Sequence, residues 1–337
     1  MAVNQRIFYA CQAVAIAPNG TGTVTSNHIV HGVQSVGMTS SFTLDQIFEL
    51  GQLELYQNVE EVADIEVTLE KVIDGYKLIL DLATGGASET DLVSAAKAKC
   101  DVYVAIYDDG LSHATGVPRN VCMNSGMSVS SVSYSYSIDG NATESVTLVG
   151  NDRFWNNDAI SGTPTTIWGT ANPTTNIDGT DTPKSGVVRR TNVLINQSTL
   201  PAEVITQGDP NNIVGNGGGL HIQSISVSAD FGQDNIQELG RFGPYTRYAT
   251  FPVEVTTEFE VIATSGDLIS VSGSAPNLQN RSIVIKDTAG TVIDCGTKNK
   301  LTSVSYSGGD TGGGNATITY SYSTFNDLSV RGGSLHA

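Results

Sequence analysis

The sequence predicts a mainly β protein built from two similar domains in tandem. Three observations carry that reading. First, the chain of 337 residues says nearly the same thing twice. His31 answers His221, Val33-Gln34-Ser35-Val36 answers Ile222-Gln223-Ser224-Ile225, and Asp45 and Ile47 answer Asp234 and Ile236. Leu50-Gly51 then answers Leu239-Gly240, and Glu66-Val67-Thr68 answers Glu254-Val255-Thr256. The order resumes with Tyr103-Val104-Ala105 against Ile283-Val284-Ile285, Cys122 against Cys295, Ser131-Val132-Ser133-Tyr134 against Ser303-Val304-Ser305-Tyr306, and Asn141-Ala142-Thr143 against Asn315-Ala316-Thr317. Second, a period this long exceeds any solenoid repeat, and the chain has the length of about two domains, each able to bury its own core. Third, Gly, Ser, Thr and Asn are abundant while Val and Ile fill the regular segments, the mixture of strands joined by many turns.

Residues 1–30 read as an N-terminal arm, with an apolar strand from Ile7 to Ile16, the turn Pro18-Asn19-Gly20 and a threonine-rich strand. The first domain spans 31–150. Gly32 to Phe42 alternates as a strand. Leu44, Ile47, Phe48 and Leu50 have the spacing of a helical turn ended at Gly51. From Ala63 to Val72, Ile65, Val67 and Leu69 alternate with Glu66, Thr68 and Glu70; the first set should face the core and the second a wetter face. Val253 and Val255 should do the same in the second domain, with Glu254 opposite. Asp74-Gly75 is a tight hairpin signal after which Tyr76 to Leu82 returns as a strand. Ser88 to Cys100 reads as a helix, with a capping-box-like Ser88 and Asp91 and a stripe of Leu92, Ala95, Ala96 and Cys100. Asp101 to Tyr107, Met127 to Ile138 and Ser145 to Val149 read as strands, the last two joined at Asp139-Gly140-Asn141.

Residues 151–220 form a polar excursion rich in Asn, Thr, Gly and Asp, with Pro164, Pro173, Pro183, Pro201 and Pro210; only Gly186 to Ile195 alternates. It is too long for an idle linker. The second domain, 221–325, repeats the plan with room for only a turn at Pro276 to Asn280, and closes with strands Leu301 to Tyr306 and Ala316 to Ser323. Residues 326–337 read as a small polar tail.

Formal net charge is -17, so the chain repels phosphate backbones and anionic membranes rather than holding them. Cys11, Cys100, Cys122 and Cys295 form no CxxC pair, which argues against a zinc knuckle. Cys122 and Cys295 hold equivalent places and read as small core residues of a protein folded in a reducing cytoplasm. The Ala10 to Ala17 stretch, broken by Gln12, is weak for a signal peptide, and no segment reaches the length of an apolar membrane span.

Candidate sites are few. His28, His31 and His221 invite a metal reading, but strand positions three apart face opposite sides. Asp178-Gly179-Thr180-Asp181 and Asp209-Pro210-Asn211-Asn212 could offer oxygens to calcium, yet neither matches an EF-hand and both read as Asx turns. Asp108-Asp109 and Glu60-Glu61 read as surface charge, and the sequons at Asn141, Asn196 and Asn315 as turn residues. Gly215 to Gly219 lacks the Gly-Lys-Ser/Thr of a phosphate loop, and neither a Gly-x-Ser-x-Gly elbow nor HExxH occurs. No catalytic, cofactor or metal residue is assigned, and the chain is read as a non-enzyme that needs no cofactor.

The order of strand, Leu-Gly turn, acidic strand, tight turn, helix and closing hairpin resembles the tail tube proteins of tailed bacteriophages and contractile injection machines. The residues that carry it are Ser35 to Phe42, Ile47 to Gly51 and Asp64 to Gly75, and more weakly Ser224 to Asp230, Gln237 to Gly240 and Pro252 to Thr256. The resemblance implies small β-sandwich or split-barrel domains, each with a short flanking helix, that form six-fold rings around a DNA channel. It further implies a virion tail protein that self-associates into stacked rings, meets sheath or baseplate and terminator proteins, and lets DNA pass without specific binding. Two domains per chain depart from the commonest pattern, and three chains would then complete a pseudo-hexameric ring. A trimeric baseplate hub and a surface-decorating or adhesive β-protein are the alternatives.

Overall fold

The computed structural model describes all residues except 1–5, 85–89, 93–96, 109–116, 157–166, 169–185, 195–198, 208–219, 268, 272–277, 310, 312–313 and 333–337. The fold is mainly β. Its centre is one continuous antiparallel sheet made of two quartets. The first quartet is β2 (Val33–Ser41), β5 (Asp64–Val72), β9 (Thr143–Gly150) and β8 (Asn120–Ser137), paired in that order. The second is β12 (Ile222–Asp230), β15 (Glu254–Ile262), β19 (Thr317–Phe325) and β18 (Lys300–Ser307), again in that order. β8 pairs with β12, so the full sheet runs β2-β5-β9-β8-β12-β15-β19-β18.

The quartets share register as well as order. A bulge separates Val33 from Ser35 on β2 and Ile222 from Ser224 on β12. Another separates Val129 from Ser131 on β8 and Leu301 from Ser303 on β18. Ser35 and Ser224 each donate from Oγ to a carboxylate directly across the ladder, Glu70 at 3.5 Å and Glu260 at 3.1 Å. The matches Ser131–Tyr134 with Ser303–Tyr306 and Asn141–Thr143 with Asn315–Thr317 fall in this register. Two others shift. Glu66 takes the place of Thr256 rather than of Glu254, two residues from the sequence match, and an even shift leaves every side chain on its own face. Gly32, not His31, takes the place of His221; both have positive φ, +73° and +54°, because the chain turns sharply into the bulged strand there.

Alternation decides the faces. Ile65, Val67, Leu69, Val253 and Val255 are buried while Glu66 and Glu254 are exposed, as expected. One apolar cluster joins Val67, Leu69 and Val146 of the first quartet to Phe259, Tyr320 and Tyr322 of the second. β8 is long enough to serve two sheets. Its first half pairs with β7 (Cys100–Ile106) and with β10 (Asp152–Trp155), and β7 pairs in turn with β1 (Gln12–Pro18). It bends at Gly126, φ +63°, where Asp101 Oδ1 accepts from the Gly126 N–H and the Ser125 hydroxyl, both at 2.9 Å. A smaller sheet, β11 (Val193–Leu194), β16 (Val284–Asp287), β17 (Val292–Asp294), β20 (Ser329–Arg331) and β6 (Thr90–Asp91), sends Ile285, Ile293 and Val330 into the same core. The four cysteines are buried free thiols.

Several elements differ from expectation. Leu44 to Leu50 is not a helical turn: β3 (Leu44–Phe48) pairs with β4 (Leu55–Glu60) in a hairpin that stands away from the body, so its apolar spacing reports no buried face. Its partner in the second quartet is β13 (Gln233–Ile236) with β14 (Thr246–Ala249). Tyr76 to Leu82 is not a strand but contains the helix α1 (Ile79–Ala83), buried throughout, so periodicity could not mark it. Of Ser88 to Cys100, which read as a helix, Leu92 is helical, Thr90–Asp91 is a strand and Cys100 opens β7, while 88–89 and 93–96 lie outside the described residues. The arm's threonine-rich strand is a turn followed by a 3-10 helix at Ser26–His28. The polar tail contributes β20, and the excursion contributes β10, β11 and the short helix α2 (Ala202–Ile205). Among the described residues of 221–325 there is no helix; the helix that meets the second quartet is α2 of the excursion, whose Glu203 accepts from the Tyr322 hydroxyl at 3.1 Å.

Candidate functional site

The surface with most to say is the sheet itself. Its face away from the core is a carpet of hydroxyls: Ser131, Ser133, Ser135 and Ser137 on β8 oppose Asp230, Ser228, Ser226 and Ser224 on β12. β19 and β18 continue it with Ser321 opposite Ser303 and Thr319 opposite Ser305. Two rows of carboxylates cross this carpet, Glu66 and Glu70 on β5 and Glu254, Glu258 and Glu260 on β15. The eight strands put one cation on this face, Lys300 at the start of β18. Such a surface offers an approaching polyanion a single counter-charge against five carboxylates.

The sheet has two free edges, β2 and β18. By register β2 is the counterpart of β12 and β18 the counterpart of β8, the two strands that pair inside the chain. Each free edge therefore has the partner strand's twin at the other end of the same molecule.

Scanned against protein families and against curated proteins, the chain matches none. Several solved structures give weak likenesses, and three of them each cover 46% of this chain. One is the tube-terminating cap of the anti-feeding prophage, at 15% identity, TM-score 0.33 and 93% of that chain. Another is the six-fold symmetrised baseplate of the same particle, at 12% identity, TM-score 0.31 and 97% of that chain. The third is the sheath–tube complex of an extracellular contractile injection system in its extended state, at 16% identity, TM-score 0.32 and 93% of that chain. Scores this low assign no role to the chain.

Burial sets the internal joint apart from the free edges. Tyr134 on β8 stands opposite Val227 on β12, and each is 1% exposed. Tyr306, the counterpart of Tyr134, is 53% exposed. Met38, Val36 and Ser40 on β2 are half-buried where their counterparts Val227, Ile225 and Ala229 are buried. Equivalent positions are thus covered at the internal joint and more exposed at the two free edges.

A buried polar network built on a Lys–Glu pair underlies the first quartet. Lys71 and Glu144 face each other across the β5–β9 ladder on the core side. Lys71 Nζ donates to the Lys77 carbonyl at 2.8 Å and lies 3.4 Å from Asp74 Oδ1. Glu144 accepts from the Ile79 and Leu80 N–H groups at 2.6 and 3.2 Å, serving as the cap that α1 lacks from its own Leu78, and from the Tyr134 hydroxyl at 3.1 Å. Burial pushes the Glu144 carboxyl above its ordinary range, against the pull of Lys71 and these donors. Burial, and then Glu144, pushes Tyr134 well up. In the second quartet the places of Lys71 and Glu144 hold Val261 and Ile318. Sequence reasoning missed this pair, though Lys71 continues the inward set Ile65, Val67 and Leu69 by parity alone.

The residues weighed for chemistry do not converge. His28 sits in its 3-10 helix, where its Nδ1 accepts from the Thr25 N–H at 3.2 Å, and His31 stacks on Tyr76 with ring centres 4.1 Å apart. His221 lies on the second quartet at the start of β12. Asp108 pairs with Arg119 at 3.6 Å, Glu60 ends an exposed strand, and Asn141 accepts from Arg189 Nε at 3.1 Å. Among the described residues no cluster of His, Cys, Asp and Glu could hold a metal. Asp109, Asn196, 178–181, 209–212 and 215–219 lie outside the described residues. Among the described residues no helix is long and apolar enough to cross a membrane.

Proposed function

We propose that this chain is a structural ring subunit of a tail tube. Three copies join head to tail, each placing β18 against β2 of the next, and the resulting closed sheet of six quartets lines a channel. Rings stack into a hollow tube that conducts DNA during ejection, in a virion tail assembled in the host cytoplasm, with sheath or baseplate and terminator proteins as its other partners. Closure removes both free edges, the usual answer to long exposed strands. The observation that carries the reading is the β8–β12 joint: it is a built example, inside one chain, of the contact that the free edges would make between chains.

The internal joint also fixes the register expected between chains. Ser133 opposite Ser228 translates into Ser305 opposite Thr39, and Tyr134 opposite Val227 into Tyr306 opposite Met38. Ser305→Cys combined with Thr39→Cys should therefore yield, on oxidation, a disulfide ladder that ends at three chains. Electron micrographs of the same rings should show true three-fold and approximate six-fold symmetry. A ladder that continues to six chains, or no cross-link at all, would reject the three-chain ring; a lone trimer that never stacks would favour the hub.

The hydroxyl and carboxylate face makes a second demand. In a gel-shift assay at physiological salt the protein should leave duplex DNA unretarded. Tight binding that weakens steeply with added salt would mean that cations outside this face line a groove, and the conducting role would lose its physical basis.

A further inference from the structure

The two ends of the sheet are unlike. The strands enter the β3–β4 hairpin from Ser41 and return at Asp64, and the β13–β14 hairpin from Asp230 and Glu254, so both hairpins leave from one end. The turn Ile138–Asn141 and the segment 187–190 lie at the other, tied together by the Asn141–Arg189 bridge.

The first hairpin is exposed along both strands, and a two-stranded ribbon without a covering layer is marginal in water. At its tip Leu50 and Leu53 are wholly exposed, flanked by Glu49 and Glu54. The segment 42–63 carries Asp45, Glu49, Glu54, Glu60 and Glu61 and no Lys or Arg. Its complement lies at the far end of the sheet. A cleft of about 420 Å³ there is lined by Ile138, Asp139, Gly140, Asn141, Arg189 and Arg190, two cations against one carboxylate. Ile138 and Val187 are exposed apolar residues beside it, and neither arginine forms an ion pair among the described residues. The tip thus offers two leucines between two glutamates, and the far end offers two arginines beside Ile138 and Val187.

We propose that the Glu49–Glu54 tip of one copy docks on the Arg189–Arg190 cleft of a second copy, end to end. Each chain carries one such tip and one such cleft, so the contact is one to one and repeats three times between successive rings. The inference rests on the ring reading and adds the surface through which rings stack. The charges give the contact direction, since two tips repel and two clefts repel.

The test reverses each side. Glu49→Lys with Glu54→Lys, on a fully exposed turn, should leave three-chain rings intact and abolish stacks. Arg189→Glu with Arg190→Glu should do the same, and mixing the two reversed proteins should restore stacking. Raised salt should dissolve stacks before rings. Stacks that persist in the tip variant would overturn the proposal, even if the arginine variant failed to fold. Absence of rings from the unaltered protein would sink the ring reading instead. A disulfide formed between Leu50→Cys and Ile138→Cys in different chains would still establish the contact, and its failure to form would reject it.

Discussion

Lys71→Val should cost about 3–5 kcal/mol at neutral pH, the usual penalty for leaving a buried charge without its partner. Lys71 is fully buried, and its ammonium is the cation nearest to both Asp74 and Glu144. Removing it leaves Glu144 among apolar side chains with only hydrogen-bond donors to support its ionised form. The loss should depend on pH in a defined sense. Glu144 already has a folded pKa above its ordinary 4.5, so the fold favours its neutral form. Its contribution is most favourable below 4.5 and declines as pH rises towards the folded value. Without Lys71 that folded value climbs further, and the variant should be least destabilised in acid and most at neutral pH. Denaturant titrations at several pH values check this; equal loss at all pH values would contradict it. The second quartet names the compensating change. Adding Glu144→Ile, to reproduce Val261 and Ile318, should recover much of the loss, the remainder reflecting the Ile79 and Leu80 N–H groups left without an acceptor.

The second large effect separates two tyrosines that occupy the same place in their quartets. Tyr134→Ala should lower the stability of the single chain by about 3–5 kcal/mol, because a buried ring and its bond to Glu144 disappear from the core. Tyr306→Ala should leave the melting temperature of the monomer almost unchanged and weaken each chain-to-chain joint by about 2 kcal/mol, or roughly thirtyfold. Thermal unfolding of dilute protein and sedimentation of concentrated protein measure the two quantities apart. A Tyr306→Ala protein that assembles normally would show that this edge stays open in the assembly.

The sequence disclosed the strands of the main sheet because each has one wet face, so that Ile65, Val67 and Leu69 against Glu66 and Thr68 can be read directly. It failed wherever that contrast vanishes. The β3–β4 hairpin is exposed on both sides, so its apolar residues face no core of this chain and their helical spacing carried no information about the fold. Helix α1 is buried on all sides and reads as a strand for the opposite reason. The β8–β12 joint was invisible because alternating Ser and apolar residues would pair as well with many strands; only the register in space identifies it. The Lys71–Glu144 pair was legible by parity but contradicted the expectation that charge stays outside, and the expectation prevailed.

The last described strand has a consequence for the order in which the molecule is made. β20 pairs with β6, and the Gly332 N–H donates to Asp81 Oδ2 at 2.9 Å across 251 residues of chain. The α1 region of the first quartet therefore waits for residues translated long after it. At synthesis rates of about 5–20 residues per second, that wait lasts on the order of ten seconds or more. During that interval β8 is made long before β12, so until residue 230 has emerged the first quartet carries two open edges, β2 and β8, instead of one. The β8–β12 joint inside the chain is therefore the first of the sheet's edges to close.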